Sequence, residues 1–233
     1  MLYHSPRVIL YNNQDGTMPH PYLADEHGLL CYAMMDDPTT LLHCYRFGIF
    51  PWDNVDKIGA FYFPSKRYVI EPRHIKIPKS IRSYFNNHRF TITFDTQFEM
   101  VIRQCASAKR KDQASTWISE QFIKVYTQMF QQGHAHSVEV WQGDKLVGGL
   151  YGIAVGRVFT GESMFSHESN ASRFAMISLA KFLEKHNFSL IDCQVYNPYL
   201  TSFGGQEIPA QVFFEHMKHN FLEPDLIGPW TEL

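Results

Sequence analysis

An α+β fold is what the sequence predicts, on three observations. The texture changes near residue 65, from a first part dense in aromatic, proline and glycine punctuation to a longer and more regular remainder. From residue 137 polar and apolar residues alternate through two glycine-marked turns, which is the pattern of an antiparallel meander. Helical spacing then takes over, one more apolar strand follows, and a proline opens a last amphipathic stretch, so strands and helices are segregated along the chain.

The first part carries Pro19-His20-Pro21, Gly48-Ile49-Phe50-Pro51-Trp52 and Phe61-Tyr62-Phe63-Pro64, which favour short elements and turns, and it reads as a small N-terminal domain over residues 1–66. Residues 67–233 form the second domain. There Ser137-Val138-Glu139-Val140-Trp141 alternates and meets a Gly143-Asp144 turn; residues 145–154 and 157–163 continue the meander, with Val155-Gly156 as the second turn. Ser169 or Asn170 is placed to cap a helix running to about His186, since Ala171, Phe174, Ala175, Ser178, Leu179 and Phe182 recur at helical spacing. Residues 188–196 read as one continuous strand. Pro209 opens the final helix, through His219, as a proline in a first helical turn would.

With 45% hydrophobic and 15% aromatic residues, a chain of 233 can bury a substantial core. The net charge of -2 means that any nucleic-acid contact must come from local clusters of positive charge. Two runs qualify: residues 73–89 hold Arg73, Lys76, Lys79, Arg82 and Arg89 with no acidic residue, and Lys109-Arg110-Lys111 forms a second group. An ordinary solvated helix surface accounts for the same spacing equally well. The first residues lack the apolar core of a signal peptide, and the longest weakly polar run, residues 146–156, is interrupted by Gly148, Gly149, Gly152 and Gly156 and is far shorter than a membrane span. A cytoplasmic protein with no membrane partner is the expectation. The four cysteines, Cys31, Cys44, Cys105 and Cys193, form no Cys-x-x-Cys pair and read as buried free thiols. Among the 12 histidines, His134 with His136 and His216 with His219 lack a cysteine or carboxylate at ligand spacing, so no metal is expected.

Chemistry is concentrated late in the chain. On a continuous 188–196 strand the two-residue period puts Asp192 and Gln194 on one face and Ile191, Cys193 and Val195 on the other. Asp192 is then placed to hold the Gln194 NH₂ and leave its carbonyl to orient an incoming amine, although a polar pair on a solvated sheet face fits the same spacing. Glu162 lies in a run that is otherwise small or apolar; buried, it needs partners such as an amine or ribose hydroxyls, and at the surface it is an ordinary strand-end glutamate. Leu150, Phe159, Met164, Met176 and Leu179 suit either an apolar pocket or plain core. Trp52 and Trp117, read as loop or helix-start residues, suit either stacking on a nucleobase or anchoring the core.

Six strings, in order, resemble the bacterial leucyl/phenylalanyl-tRNA protein transferases: Gly48-Ile49-Phe50-Pro51-Trp52; Thr116-Trp117-Ile118; Gly133-His134-Ala135-His136-Ser137-Val138-Glu139-Val140-Trp141; Leu146-Val147-Gly148-Gly149-Leu150-Tyr151-Gly152; Gly161-Glu162-Ser163-Met164-Phe165-Ser166; and Leu190-Ile191-Asp192-Cys193-Gln194. The likeness extends from about residue 28 to 210, and together the strings are specific where each alone is weak. It departs from the family pattern at Tyr32-Ala33-Met34-Met35-Asp36-Asp37, where Gly-Gly-Asp-Leu is usual, and at Phe61-Tyr62-Phe63-Pro64, where Trp-Trp-Ser-Pro is usual.

The resemblance implies a small N-terminal α/β domain and a C-terminal acetyltransferase-like domain with a mixed sheet flanked by helices. It implies that Asp192 and Gln194 position or activate the acceptor α-amine, that Glu162 lies at a pocket floor, and that Trp52 and Trp117 meet the terminal adenosine. It also implies that Leu150, Phe159, Met164, Met176, Leu179 and Ile191 line the side-chain pocket, with Gly161 beside the substrate backbone. The expected substrates are leucyl- or phenylalanyl-tRNA and acceptor proteins beginning with Arg or Lys, handled by a monomer with no cofactor. Side-chain choice is expected to favour leucine, then phenylalanine and methionine, over isoleucine and valine, whose branch at Cβ meets a narrow neck. A coenzyme-A-dependent N-acetyltransferase would share the sheet, but the chain has no Gln/Arg-x-x-Gly-x-Gly/Ala loop. A non-catalytic N-terminus-binding adaptor would need the acidic pocket without the tryptophans or the basic face.

Overall fold

In a computed structural model, residues 10–11, 19–87, 89–108 and 117–232 are described. The order of elements is β1 (Leu10–Tyr11), β2 (Leu29–Met34), α1 (Pro38–Arg46), β3 (Phe50–Val55), β4 (Ile58–Tyr62), β5 (Lys66–Ile70), α2 (Lys79–Asn86), β6 (Thr91–Phe94), α3 (Phe98–Ser107) and α4 (Glu120–Gln131). There follow β7 (Ala135–Gln142), β8 (Lys145–Val155), β9 (Val158–Ser166), α5 (Ala171–Lys185), β10 (Leu190–Asp192), α6 (Pro198–Thr201), β11 (Gln206–Pro209) and α7 (Ala210–Asn220).

Helix starts follow from local chemistry. Asp37 accepts from the Thr39 and Thr40 N–H groups ahead of Pro38, satisfying donors that α1 leaves open. Ser119 caps α4 by accepting from Phe122 N–H. Asn170 precedes α5 as expected, but it adopts a left-handed conformation (φ 67°) and makes no side-chain cap. Its amide instead donates to Tyr84. Pro209 directly precedes α7, which extends one residue beyond the expected end.

Two sheets result. A four-stranded sheet in the order β1-β2-β4-β3 ends at Tyr62, and a mixed seven-stranded sheet in the order β11-β5-β10-β9-β8-β7-β6 begins at Lys66. The meander β7-β8-β9 is antiparallel, as read from the sequence, and β10 joins β9 as the parallel pair of an otherwise antiparallel sheet. Along β8 successive side chains enter opposite cores: Tyr151, Ile153 and Val155 pack with α1, α3 and α4, while Leu150 and Ala154 pack with α5. The first of these cores is continuous across both sheets, joining Phe50 and Phe61 of the smaller one to Phe122, Tyr126 and Phe213. Its depth is what allows polar groups to be held away from water.

The largest departure from the expected elements is the 188–196 strand. Only Leu190–Asp192 is extended, and the chain turns at Gln194, whose φ is +65°. Asp192 Oδ1 accepts from the Gln194 backbone N–H at 2.9 Å, a local bond made where the pairing with β9 ends. The strand therefore ends at Asp192; Ile191 and Cys193 pack on the α5 side, while Asp192 and Gln194 both reach groups held by residues of the other core, as alternation placed them.

Cys31, Cys44 and Cys105 are buried and Cys193 is half-buried, all as free thiols. No helix among the described residues is long and apolar enough to cross a membrane.

Candidate active site

Pairing of β9 with β10 stops at Thr160 and Asp192. Beyond that point a cavity of about 600 Å³ opens between residues 161–166 on one side and 193–195 on the other. Leu150, Phe159, Gly161, Met164, Met176, Leu179 and Ile191, all singled out from sequence, line it. So do Glu162, Gln194, Trp52 and Trp117. Pocket and core were alternatives for the apolar residues, and both apply: Leu150, Phe159, Met176, Leu179 and Ile191 belong to the core packed on α5 while turning one edge to the cavity.

Glu162 owes its direction to a bulge. Tyr151 pairs with Ser163 and Gly152 with Gly161, so Glu162 is the extra residue of β9 and leaves the ladder. The carboxylate is buried, and three donors converge on it: Tyr45 Oη at 2.8 Å and Gln194 Nε2 at 2.9 Å donate to Oε1, and Tyr126 Oη at 3.2 Å donates to Oε2. Burial pushes the Glu162 carboxyl up to about 7, against the lowering effect of the tyrosine hydroxyls. Burial and the neighbouring Glu162 charge push both tyrosines well above the usual phenol range, so they stay protonated and act as donors.

Asp192 lies behind this wall. Fully buried, it receives Arg67 Nε at 2.7 Å and Arg67 Nη2 at 2.6 Å, one on each carboxylate oxygen. Phe50 and Phe213 cover the guanidinium, with ring centroids 4.6 and 4.5 Å from its carbon. The anticipated bond between Asp192 and the Gln194 side chain is thus corrected: Asp192 holds the Gln194 backbone, and Glu162 holds its amide. The reason is the turn at Gln194, which points the side chain across to β9.

Trp52 stands in β3 rather than a loop, 40% exposed and edge-on to Tyr62. Trp117 lies two residues before the α4 cap, half-buried against Phe122. Both indoles are therefore partly exposed, Trp52 the more so.

Of the basic residues, Arg73, Lys76, Lys79, Arg82 and Arg89 are all exposed. Arg73 pairs with Glu71 and Arg89 approaches Glu168, whereas Lys76, Lys79 and Arg82 have no ion-pair partner among the described residues. Lys109, Arg110 and Lys111 lie outside the described residues. Among the described residues no group of three or more His, Cys, Asp or Glu side chains could hold a metal ion. His136 is instead buried against Asp95 and stacked on Trp230.

Sequence reasoning missed Tyr45, Tyr126 and Arg67. Each reaches the site from a distant element, at 117, 36 and 125 residues from its carboxylate partner, and no local pattern marks such pairs.

A family model described as Leucyl/phenylalanyl-tRNA protein transferase matches residues 69–218. The chain belongs to that family. A relative of that name from Thermodesulfovibrio yellowstonii is 43% identical over 212 residues, covering 91% of this chain and 86% of its own length. Another from Flavobacterium johnsoniae is 46% identical over 195 residues, covering 84% and 92%. Among solved structures, an aminoglycoside acetyltransferase from a soil metagenome overlaps 57% of this chain and 89% of its own, at 11% identity and a TM-score of 0.37.

Proposed function

We propose that this member of the leucyl/phenylalanyl-tRNA protein transferases moves leucine or phenylalanine, and also methionine, from aminoacyl-tRNA to the N-terminal α-amine of proteins beginning with Arg or Lys, which marks them for N-end-rule degradation. The observation that carries the reading is the polar strip formed by Glu162 and Gln194 in a cavity whose other walls are largely apolar. An aliphatic or aromatic side chain fills the apolar part, and the ester carbonyl then lies beside the amide.

The chemistry asks little of the protein. The ester is already activated, and an α-amine has a pKa of about 7.7–8.0, so a useful share is unprotonated near neutrality. With the Gln194 NH₂ committed to Glu162, its carbonyl oxygen is the atom left to accept an N–H of the amine and aim the nitrogen lone pair at the ester carbon. The new C–N bond forms as the ester C–O bond breaks, the adenosine hydroxyl leaves with a proton, and the amine gives up one. Trp52 offers an exposed indole on which the terminal adenine stacks, with Trp117 beside it. Exposed Lys76, Lys79 and Arg82, with Arg73, are the cations that would meet tRNA phosphates.

The test is incubation with radiolabelled leucyl-tRNA and a protein beginning with Arg or Lys. Label enters protein if the reading is right. Label that stays on RNA in the presence of folded enzyme overturns it.

A further inference from the structure

We propose that Arg67 is a positioning residue for the transfer, and that it and Asp192 form a charge-neutral clamp which sets the turn at Gln194, with Asp192 taking no proton from the amine. This rests on the transferase reading of the cavity.

Four observations carry it. The two side chains are 1% and 0% exposed, and Asp192 is not among the residues lining the cavity, so its carboxylate does not reach an amine held there. Both carboxylate oxygens are engaged by the guanidinium; the backbone N–H of Gln194 also meets Oδ1, and the Thr160 hydroxyl approaches Oδ2 at 3.4 Å. That N–H belongs to a residue with φ +65°, a conformation glutamine rarely adopts and one that needs support from its surroundings. The ends of the turn are tied to β5 as well, because Cys193 N–H donates to the Tyr68 carbonyl and Tyr68 N–H to that of Gln194, one residue from Arg67.

Stability alone is a poor explanation for such a pair. A well-packed apolar pair of similar volume serves a core at least as well, and here Arg67 Nη1 is buried without a hydrogen-bond partner. The guanidinium nevertheless packs over the Phe50 and Phe213 rings, which restrains it and hence the carboxylate that accepts from Gln194. From there the chain of restraint runs through the Gln194 backbone to its amide, which meets Glu162 at the cavity wall.

The deciding variant is the neutral pair Arg67→Gln with Asp192→Asn. The asparagine carbonyl still accepts from Gln194 N–H, two facing side-chain amides keep a planar donor-acceptor contact, and no charge is stranded, but a base at 192 is gone. Transfer from leucyl-tRNA is measured with wild type, Asp192→Asn and the double variant, each checked for folding by circular dichroism and thermal melting. Expected is a kcat for Asp192→Asn at least a hundredfold below wild type, with the double variant restored to within tenfold, and KM for leucyl-tRNA and the pH profile of kcat unchanged. A folded double variant more than tenfold below wild type overturns the clamp, as does an Asp192→Asn single variant with wild-type kcat.

If the double variant does not fold, Arg67→Lys decides, because lysine keeps the charge but loses the planar two-point hold. It should lower kcat at least tenfold with KM within twofold. Wild-type kcat, or a change confined to KM, overturns the inference. Failure of the wild-type protein to transfer label sinks the functional reading itself, whereas transfer by wild type with an inactive double variant sinks only the clamp.

Discussion

Gln194 Nε2 donates to Glu162 Oε1 at 2.9 Å, joining the turn after β10 to the bulge of β9 at the cavity wall. If this contact aims the amide, the two residues act together. Gln194→Ala and Glu162→Ala should each lower kcat by about 10²-fold or more, and the double variant should be only slightly worse than the weaker single one. Multiplicative losses in steady-state transfer assays would show that each residue acts alone.

Glu162 also links stability to pH. Its folded pKa of about 7 lies above the ordinary value of 4.5, so between those values the folded state holds a proton that the unfolded chain has released. Stability from this group is therefore greatest below about pH 4.5, falls as pH rises to about 7, and is level above it. The full span is on the order of 3 kcal/mol at about 1.36 kcal/mol per unit. Urea titrations from pH 5 to 8 should show wild type losing stability relative to Glu162→Gln across that window. Parallel curves for the two proteins would contradict the raised pKa.

Breaking the Arg67–Asp192 pair should be costly in a way that an exposed pair is not. Arg67→Ala leaves a carboxylate without its counter-charge at 0% exposure, a loss of about 3–5 kcal/mol. Lys66→Ala, which removes the exposed partner of Glu207 one residue earlier, should stay within about 0.5 kcal/mol of wild type. Denaturant midpoints compare the two directly.

Gly161 lines the cavity at a point where an added methyl group has room. A methyl group there would meet only the Asp192 carbonyl oxygen, at 3.8 Å, in ordinary contact. Gly161→Ala should therefore melt near wild type while reducing phenylalanine transfer relative to leucine, by about tenfold for one added methyl. Gly152→Ala is the contrasting case, since its methyl would fall onto the Thr160 carbonyl and the Phe159 ring and should lower the melting temperature. An unchanged leucine-to-phenylalanine ratio in Gly161→Ala would place the side chain elsewhere.

Replacing Lys76, Lys79 and Arg82 with glutamine should weaken tRNA binding and flatten its dependence on salt, by about 0.7–0.9 in logarithmic slope for each phosphate that is no longer neutralised. Arg73→Gln should matter less, because Glu71 already neutralises that charge. Binding isotherms at several salt concentrations decide it, and an unchanged slope returns these residues to a solvated surface.

Periodicity alone located the meander of β7, β8 and β9, the helix α5 and the helix after Pro209, because each rests on residues close in sequence whose spacing matches the element that buries them. The motif strings likewise marked most of the residues that line the cavity, since close approach of backbone and ligand constrains short stretches. Tertiary structure decided how those residues are wired. The Gln194 backbone N–H meets a carboxylate held by Arg67, and the three donors at Glu162 arrive from α1, α4 and the β10 turn. Alternation over residues 188–196 looks the same whether the strand continues or stops. The Arg67–Asp192 pair at that end spans 125 residues, and the low dielectric in which Asp192 needs a counter-charge exists only once the core has closed.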